Sequence, residues 1–254
     1  MFEAFQTGHL YLEKAPDWPD ADKKPPRNSI LSIDWGTSGV RAYILTHDGY
    51  TSSHITYKSF HDLNGRREAA DWPAHGAFRL SDRMVEFHGE NIPVGAEPLV
   101  LKYGVYAKTK SYDNVFMRQY PHVTAIRNLS DDPNFMKSLS ESIDEMFRRL
   151  FQKTDAFCAA NDINISSIAA TVPTQWSLDH EDVYVEMLAK YFNARTPDPR
   201  ENICFYTECE GLAHRLAASY DCKNRLAPYK IIMIADIGGH SMASNTPTPS
   251  SQLT

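Results

Sequence analysis

The chain has 254 residues, 42% of them hydrophobic and 23% charged, with a net charge of −6; that is ordinary for a globular protein of one large or two small domains. No long Lys/Arg block is present, which speaks against a nucleic-acid partner, and no apolar run approaches the ~20 residues of a membrane helix, which speaks against a membrane one. The N-terminal MFEAFQTGHLYLEK lacks the basic-then-apolar layout of a secretory signal, and Cys158, Cys204, Cys209 and Cys222 form no C-x-x-C pair, so reduced thiols in a cytoplasmic setting are expected.

Residues 1–27 read as a flexible arm, because the prolines of KAPDWPDADKKPPRN block helix and sheet interior alike. Structure is expected from Asn28. Three antiparallel strands follow: Ser29–Ile33, Val40–Thr46 and Tyr50–Tyr57, the last two joined by the turn signal His47-Asp48-Gly49. Residues from about 58 to 130 read as a small inserted subdomain. Within it, Phe78 and Leu80 on one arm and Met84, Val85 and Phe87 on the other predict a hairpin that turns at Ser81–Arg83. Asp132-Pro133 then starts a helix, with Asp as N-cap and Pro in the first turn. Leu139, Ile143, Met146, Phe147, Leu150 and Phe151 recur at helical spacing through to about Ala160. Ser167–Val172 is a predicted buried strand. Ser177 caps a helix running to about Phe192, with Asp179, Glu181 and Asp182 in its first turn; the cluster Asp179-His180-Glu181-Asp182 reads as capping rather than as a metal site. A short strand Ile203–Tyr206, a helix Glu208–Tyr220 and a continuous apolar run, Tyr229–Ala235, complete the order. The tail 242–254, rich in Ser, Thr and Pro, is expected to be disordered. Together these elements predict an α/β fold: a mixed five-stranded sheet with helices on both faces.

Two loops carry chemistry. In Asp34-Trp35-Gly36-Thr37-Ser38-Gly39, small residues let backbone N–H groups approach an anion and two hydroxyls add donors. A carboxylate beside an anion makes sense if a cation comes too, and Mg²⁺ favours one or two carboxylates plus phosphate oxygens. The bland alternative is a tight hairpin that needs Gly for its geometry. Asp236-Ile237-Gly238-Gly239-His240-Ser241 repeats the plan roughly two hundred residues later. Neither loop is a P-loop or a dinucleotide fingerprint.

IDWGTSGVRAYIL resembles the first phosphate loop of the actin, sugar-kinase and heat-shock-70 superfamily, and ADIGGHS the second. Between them, Ala170–Trp176 (ATVPTQW) resembles the strand-end Val-Pro segment of heat-shock-70 ATPase domains, and Tyr206–Ala213 (YTECEGLA) their Glu-bearing crossover helix. The order and spacing agree, and the likeness is best to divergent, fungal-type heat-shock-protein-12A-like proteins. It spans Asn28 to about Ser241. It implies an actin-like ATPase first lobe of ribonuclease-H-like fold over 28–228. The first strand and phosphate loop of a second lobe would occupy 229–241.

The resemblance also implies ligands and roles. The cofactors would be ATP and Mg²⁺, with Asp34 and Asp236 at the metal. Gly36, Thr37, Ser38, Gly39, Gly238, Gly239 and Ser241 would cradle phosphate. Glu208 would order the attacking water, and Lys102 would stabilise charge developing on the γ-phosphoryl oxygens.

The sequence departs from the pattern at His240, where the family has a third Gly, and in the few residues that follow Gly239. Nucleotide binding and hydrolysis are therefore expected to be weak or lost. One alternative is a non-enzymatic remnant that offers its second-lobe strand to a protein partner. Another is a small-molecule (sugar) kinase of the same superfamily, although no sugar-pocket aspartate stands out.

Overall fold

The computed structural model describes residues 27–37, 39–46, 52–54, 72–89, 91–111, 127–192, 199–208, 210, 234–237 and 242–245. The main sheet is built on β1 (Arg27–Trp35), β2 (Gly39–Thr46) and β3 (Ser52–His54). Leu31, Ile33 and Trp35 alternate with Ser32 and Asp34 along β1, and Val40, Ala42 and Ile44 with Arg41, Tyr43 and Leu45 along β2. A strand turns successive side chains to opposite faces, so this alternation buries one face; on the other, Ile30, Ser32 and Asp34 are half-buried and Arg41, Tyr43 and Leu45 exposed. The strand β1 is longer than its apolar core predicts. Asp34 and Trp35 belong to it because Arg41 and Val40 pair with them from β2.

β4 (Trp72–Pro73) pairs with the start of β2 and leads into a small sheet of β5 (His75–Arg79), β6 (Met84–Glu86) and β7 (Glu97–Val100), in the order β6-β5-β7. The predicted hairpin is present. Phe78 faces Val85 and Arg79 faces Met84, while Leu80 lies in the turn and is exposed. Arg83 adopts φ 55° there, the left-handed conformation that closes the turn. A 3₁₀ turn, Leu101–Tyr103, runs straight into helix α1 (Gly104–Thr109).

Helix α2 (Pro133–Ala160) starts as its sequence dictates: the Asp132 carboxylate accepts the backbone N–H of Asn134 and Phe135 at 2.9 and 3.3 Å. It packs against β6 through two hydroxyls one turn apart. Ser138 Oγ accepts the Val85 N–H at 3.0 Å, and Ser142 Oγ donates to the Val85 carbonyl at 2.9 Å. β8 (Ile163–Val172), α3 (Leu178–Ala189) and β9 (Ile203–Thr207) complete a βαβ unit. β8 begins four residues before the predicted strand, because Arg27–Ser29 of β1 pair with Ile163–Ile165.

The main sheet runs β3-β2-β1-β8-β9, with β1 antiparallel to β2 and parallel to β8, and β8 parallel to β9. The mixed five-stranded sheet of the sequence reading is therefore present, with β4 as an added partner of β2. Both long helices cover the same face. Trp35 packs edge-on to Phe147 of α2, with centroids 5.0 Å apart, and lies 5.3 Å from the ring of Tyr184 of α3. Of the predicted helix Glu208–Tyr220, only Glu208 and Glu210 are among the described residues. One contiguous core joins both sheets and the three helices.

β10 (Ile234–Ile237) and β11 (Met242–Asn245) form an antiparallel pair. Ile234 and Ala235, the end of the predicted apolar run, are strand, which continues to Ile237; residues 229–233 lie outside the described residues. One expectation is corrected here. The first residues of the predicted tail are a strand, held by pairing with β10 and not by any strand propensity of their own.

Candidate functional site

Parallel strands β1, β8 and β9 bring their carboxyl ends to one edge of the sheet, the usual place for a ligand in an open α/β sheet. Asp34 pairs with Thr171 across β1 and β8, and Thr171 with Tyr206 across β8 and β9. Two strand spacings, about 10 Å, therefore separate the backbone of Asp34 from that of Tyr206. Glu208 follows directly after β9.

Asp34 sits on the face of the sheet opposite α2 and α3. Its Oδ1 accepts a 2.6 Å hydrogen bond from Thr171 Oγ1, and its Oδ2 lies 4.0 Å from Arg41 Nη1. Each neighbour is its register partner, so the sheet itself orients the carboxylate. The side chain keeps 41% exposure, and each oxygen has a further lone pair to offer. A carboxylate placed this way fits the water shell of a hard cation. Among the described residues, no group of three or more His, Cys, Asp and Glu side chains could hold a metal ion.

The turn after Asp34 closes on itself, with the Gly36 N–H donating to the Gly39 carbonyl at 2.9 Å. A Cβ on Gly36 would lie 3.1 Å from that same oxygen. A side chain at this position would have to push the Gly39 carbonyl aside by a few tenths of an ångström, so glycine suits the hairpin. Thr37 is partly buried in the turn.

Lys102 and Glu208, 106 residues apart in sequence, meet as an ion pair of 3.2 Å. The Lys102 side chain is 4% exposed and that of Glu208 19%. A charge so deeply buried needs a partner. Lys102 has the carboxylate, and its ammonium also lies 5.7 Å from the ring centroid of Trp176. Trp176 is held in turn: its indole N–H donates to the Tyr106 hydroxyl at 2.7 Å. Burial pushes the Tyr106 phenol far above its ordinary value, so it stays neutral. The Tyr184 phenol, fully buried on Phe205, is raised by burial first and by the charge of Asp34 second.

Of the residues singled out in the sequence, the fold thus brings Lys102 to Glu208, and it sets Asp34 at the end of β1, Gly36 and Thr37 in the turn and Gly39 at the start of β2. Ser38, Gly238, Gly239 and Ser241 lie outside the described residues, as does the side chain of Asp236, whose backbone pairs with Ala243 in β10–β11. Sequence reasoning assigns no site role to Thr171, Tyr106, Tyr184 or Trp176. Only Thr171 carried a local signal, its place at the end of a predicted strand beside Val172-Pro173. No protein-family model matches the chain, and no curated protein matches it. Among the described residues no helix is long and apolar enough to cross a membrane.

Proposed function

We propose that this chain is a heat-shock-70-like, actin-type lobe that binds Mg·ATP weakly at the carboxyl ends of β1, β8 and β9, with hydrolysis weak or lost. The observation that carries the reading is the Lys102–Glu208 pair: two residues linked only by their family resemblance are bonded in the fold. The strand order, three antiparallel strands followed by two parallel ones, supports it as well. Asp34 would hold the metal through its water shell, and magnesium, when bound, neutralises triphosphate charge. Lys102 supplies a buried positive charge, worth more in a low-dielectric wall than in water. Glu208 can accept a hydrogen bond from a water while its other oxygen keeps Lys102. Thr171 holds Asp34 in one orientation.

Titration of the intact chain with ATP and Mg²⁺, followed by tryptophan fluorescence, tests this. A saturable change is expected, weakened roughly tenfold or more by Asp34→Asn, which removes about 1.4 kcal/mol or more of binding. A flat titration of folded protein overturns the reading. That outcome supports a second reading, a non-enzymatic lobe that binds a protein partner.

A further inference from the structure

His180 sits at the third position of α3 and is 3% exposed. Its ring lies against three groups from elsewhere. The ring of Tyr106, from α1, is 4.8 Å away and roughly edge-on; that of Trp176 is 6.0 Å away and nearly parallel, at 19°. Ser177, the N-cap of the helix, donates its backbone N–H to His180 Nδ1 at 3.1 Å, and its hydroxyl lies 2.7 Å from the same nitrogen. A histidine thus takes the reciprocal position that Glu or Gln fills in an ordinary capping box. That bond requires a lone pair on Nδ1, hence a neutral ring with its proton on Nε2. A proton on Nδ1 would set two donors face to face and place a cation in an aromatic pocket.

We propose that His180 is an acid-sensitive latch: its neutral ring clamps Trp176 and Tyr106 together and so holds α1, with the adjoining turn that bears Lys102, against α3. Protonation undoes the cap of α3 and the stack at once. Burial lowers the His180 pKa below its ordinary value, opposed in part by the Ser111 backbone just past α1 and by Asp179 on the same helix. The neutral Tyr106 phenol faces it from α1. A lowered pKa means that the latch is fully closed above the ordinary histidine value of 6.5 and opens as pH falls from there through the folded value. None of this depends on nucleotide.

The test uses the intact chain, His180→Gln and Trp176→Phe. Glutamine completes the capping box without a titrating ring, so His180→Gln is expected to fold. Trp176→Phe identifies the Trp176 indole N–H among the signals of the four tryptophans. Between about pH 8 and about pH 5 the wild-type indole signal should shift or broaden in a one-proton step, and His180→Gln should abolish that step. At a fixed pH below the step, backbone amides of Leu101–Thr109 should exchange roughly threefold to tenfold faster in wild type than in His180→Gln. The proposal is overturned by an indole signal without a step before acid unfolding, by a step that persists in His180→Gln, or by equal exchange in the two proteins.

Discussion

At the scale of single residues, the Lys102–Glu208 pair sets the largest stake. Lys102→Met leaves Glu208 without its buried cation, and losing one partner of a buried pair costs about 3 kcal/mol. Glu208 keeps some contact with solvent, which places the effect at or below that figure. Lys102→Met with Glu208→Gln should recover part of the loss, because no unpaired charge then remains. Urea unfolding midpoints of the two single variants and the double variant measure this, and strict additivity would mean that the two side chains do not interact. Cysteine chemistry divides just as sharply. Burial first, and Asp155 second, push the Cys158 thiol up to about 11, while Cys204 is exposed on β9. A thiol reagent at neutral pH should modify Cys204 within the folded protein and leave Cys158 untouched until the protein unfolds, as peptide mapping would show.

Among the elements, the join between α2 and the small sheet rests on two hydroxyls. Ser138→Ala strands the buried N–H of Val85 and should cost about 1–3 kcal/mol, whereas Ser142→Ala should cost less, since a carbonyl tolerates a missing partner better than an N–H does. Thermal unfolding of both variants distinguishes them. Elements with local signals were legible from sequence: Asp132 and Pro133 start α2 where expected, and the β5–β6 hairpin turns at its polar residues. Elements defined by partners far away were not. The N-terminal ends of β1 and β8 are set by each other's register, and β11 exists because β10 pairs with it. The site divides in the same way. Asp34 and its glycines stand out because they are contiguous. The link from Trp176 to Tyr106 spans 70 residues and has no local trace. His180 was read as one more member of an acidic cap, because an imidazole is not the side chain that position usually carries.

For the molecule as a whole, one core under two sheets implies one unfolding event. Gly76, in the middle strand of the small sheet, leaves no room for a methyl group: a Cβ there would lie 2.5 Å from Val85 Cγ1 and 3.0 Å from Leu101 Cδ2. Valine is stiff at that carbon, so Gly76→Ala should destabilise by about 1–3 kcal/mol. Far-UV circular dichroism and tryptophan fluorescence should shift together, although Trp35 lies in the other sheet; separated transitions would show two folding units. The order of the strands has a further consequence, in time. β1 meets β2 within a few residues, but its other neighbour, β8, is more than 130 positions downstream, as the 137-residue separation of Asp34 and Thr171 records. A ribosome adding about 5–20 residues per second needs on the order of ten seconds to cover that distance. Through that interval the strand destined for the middle of the sheet is a border, its backbone open to any extended chain that passes. A nascent-chain binder, or simply the polar Ser29 and Ser32 that flank its apolar residues, must keep it single until Thr171 emerges.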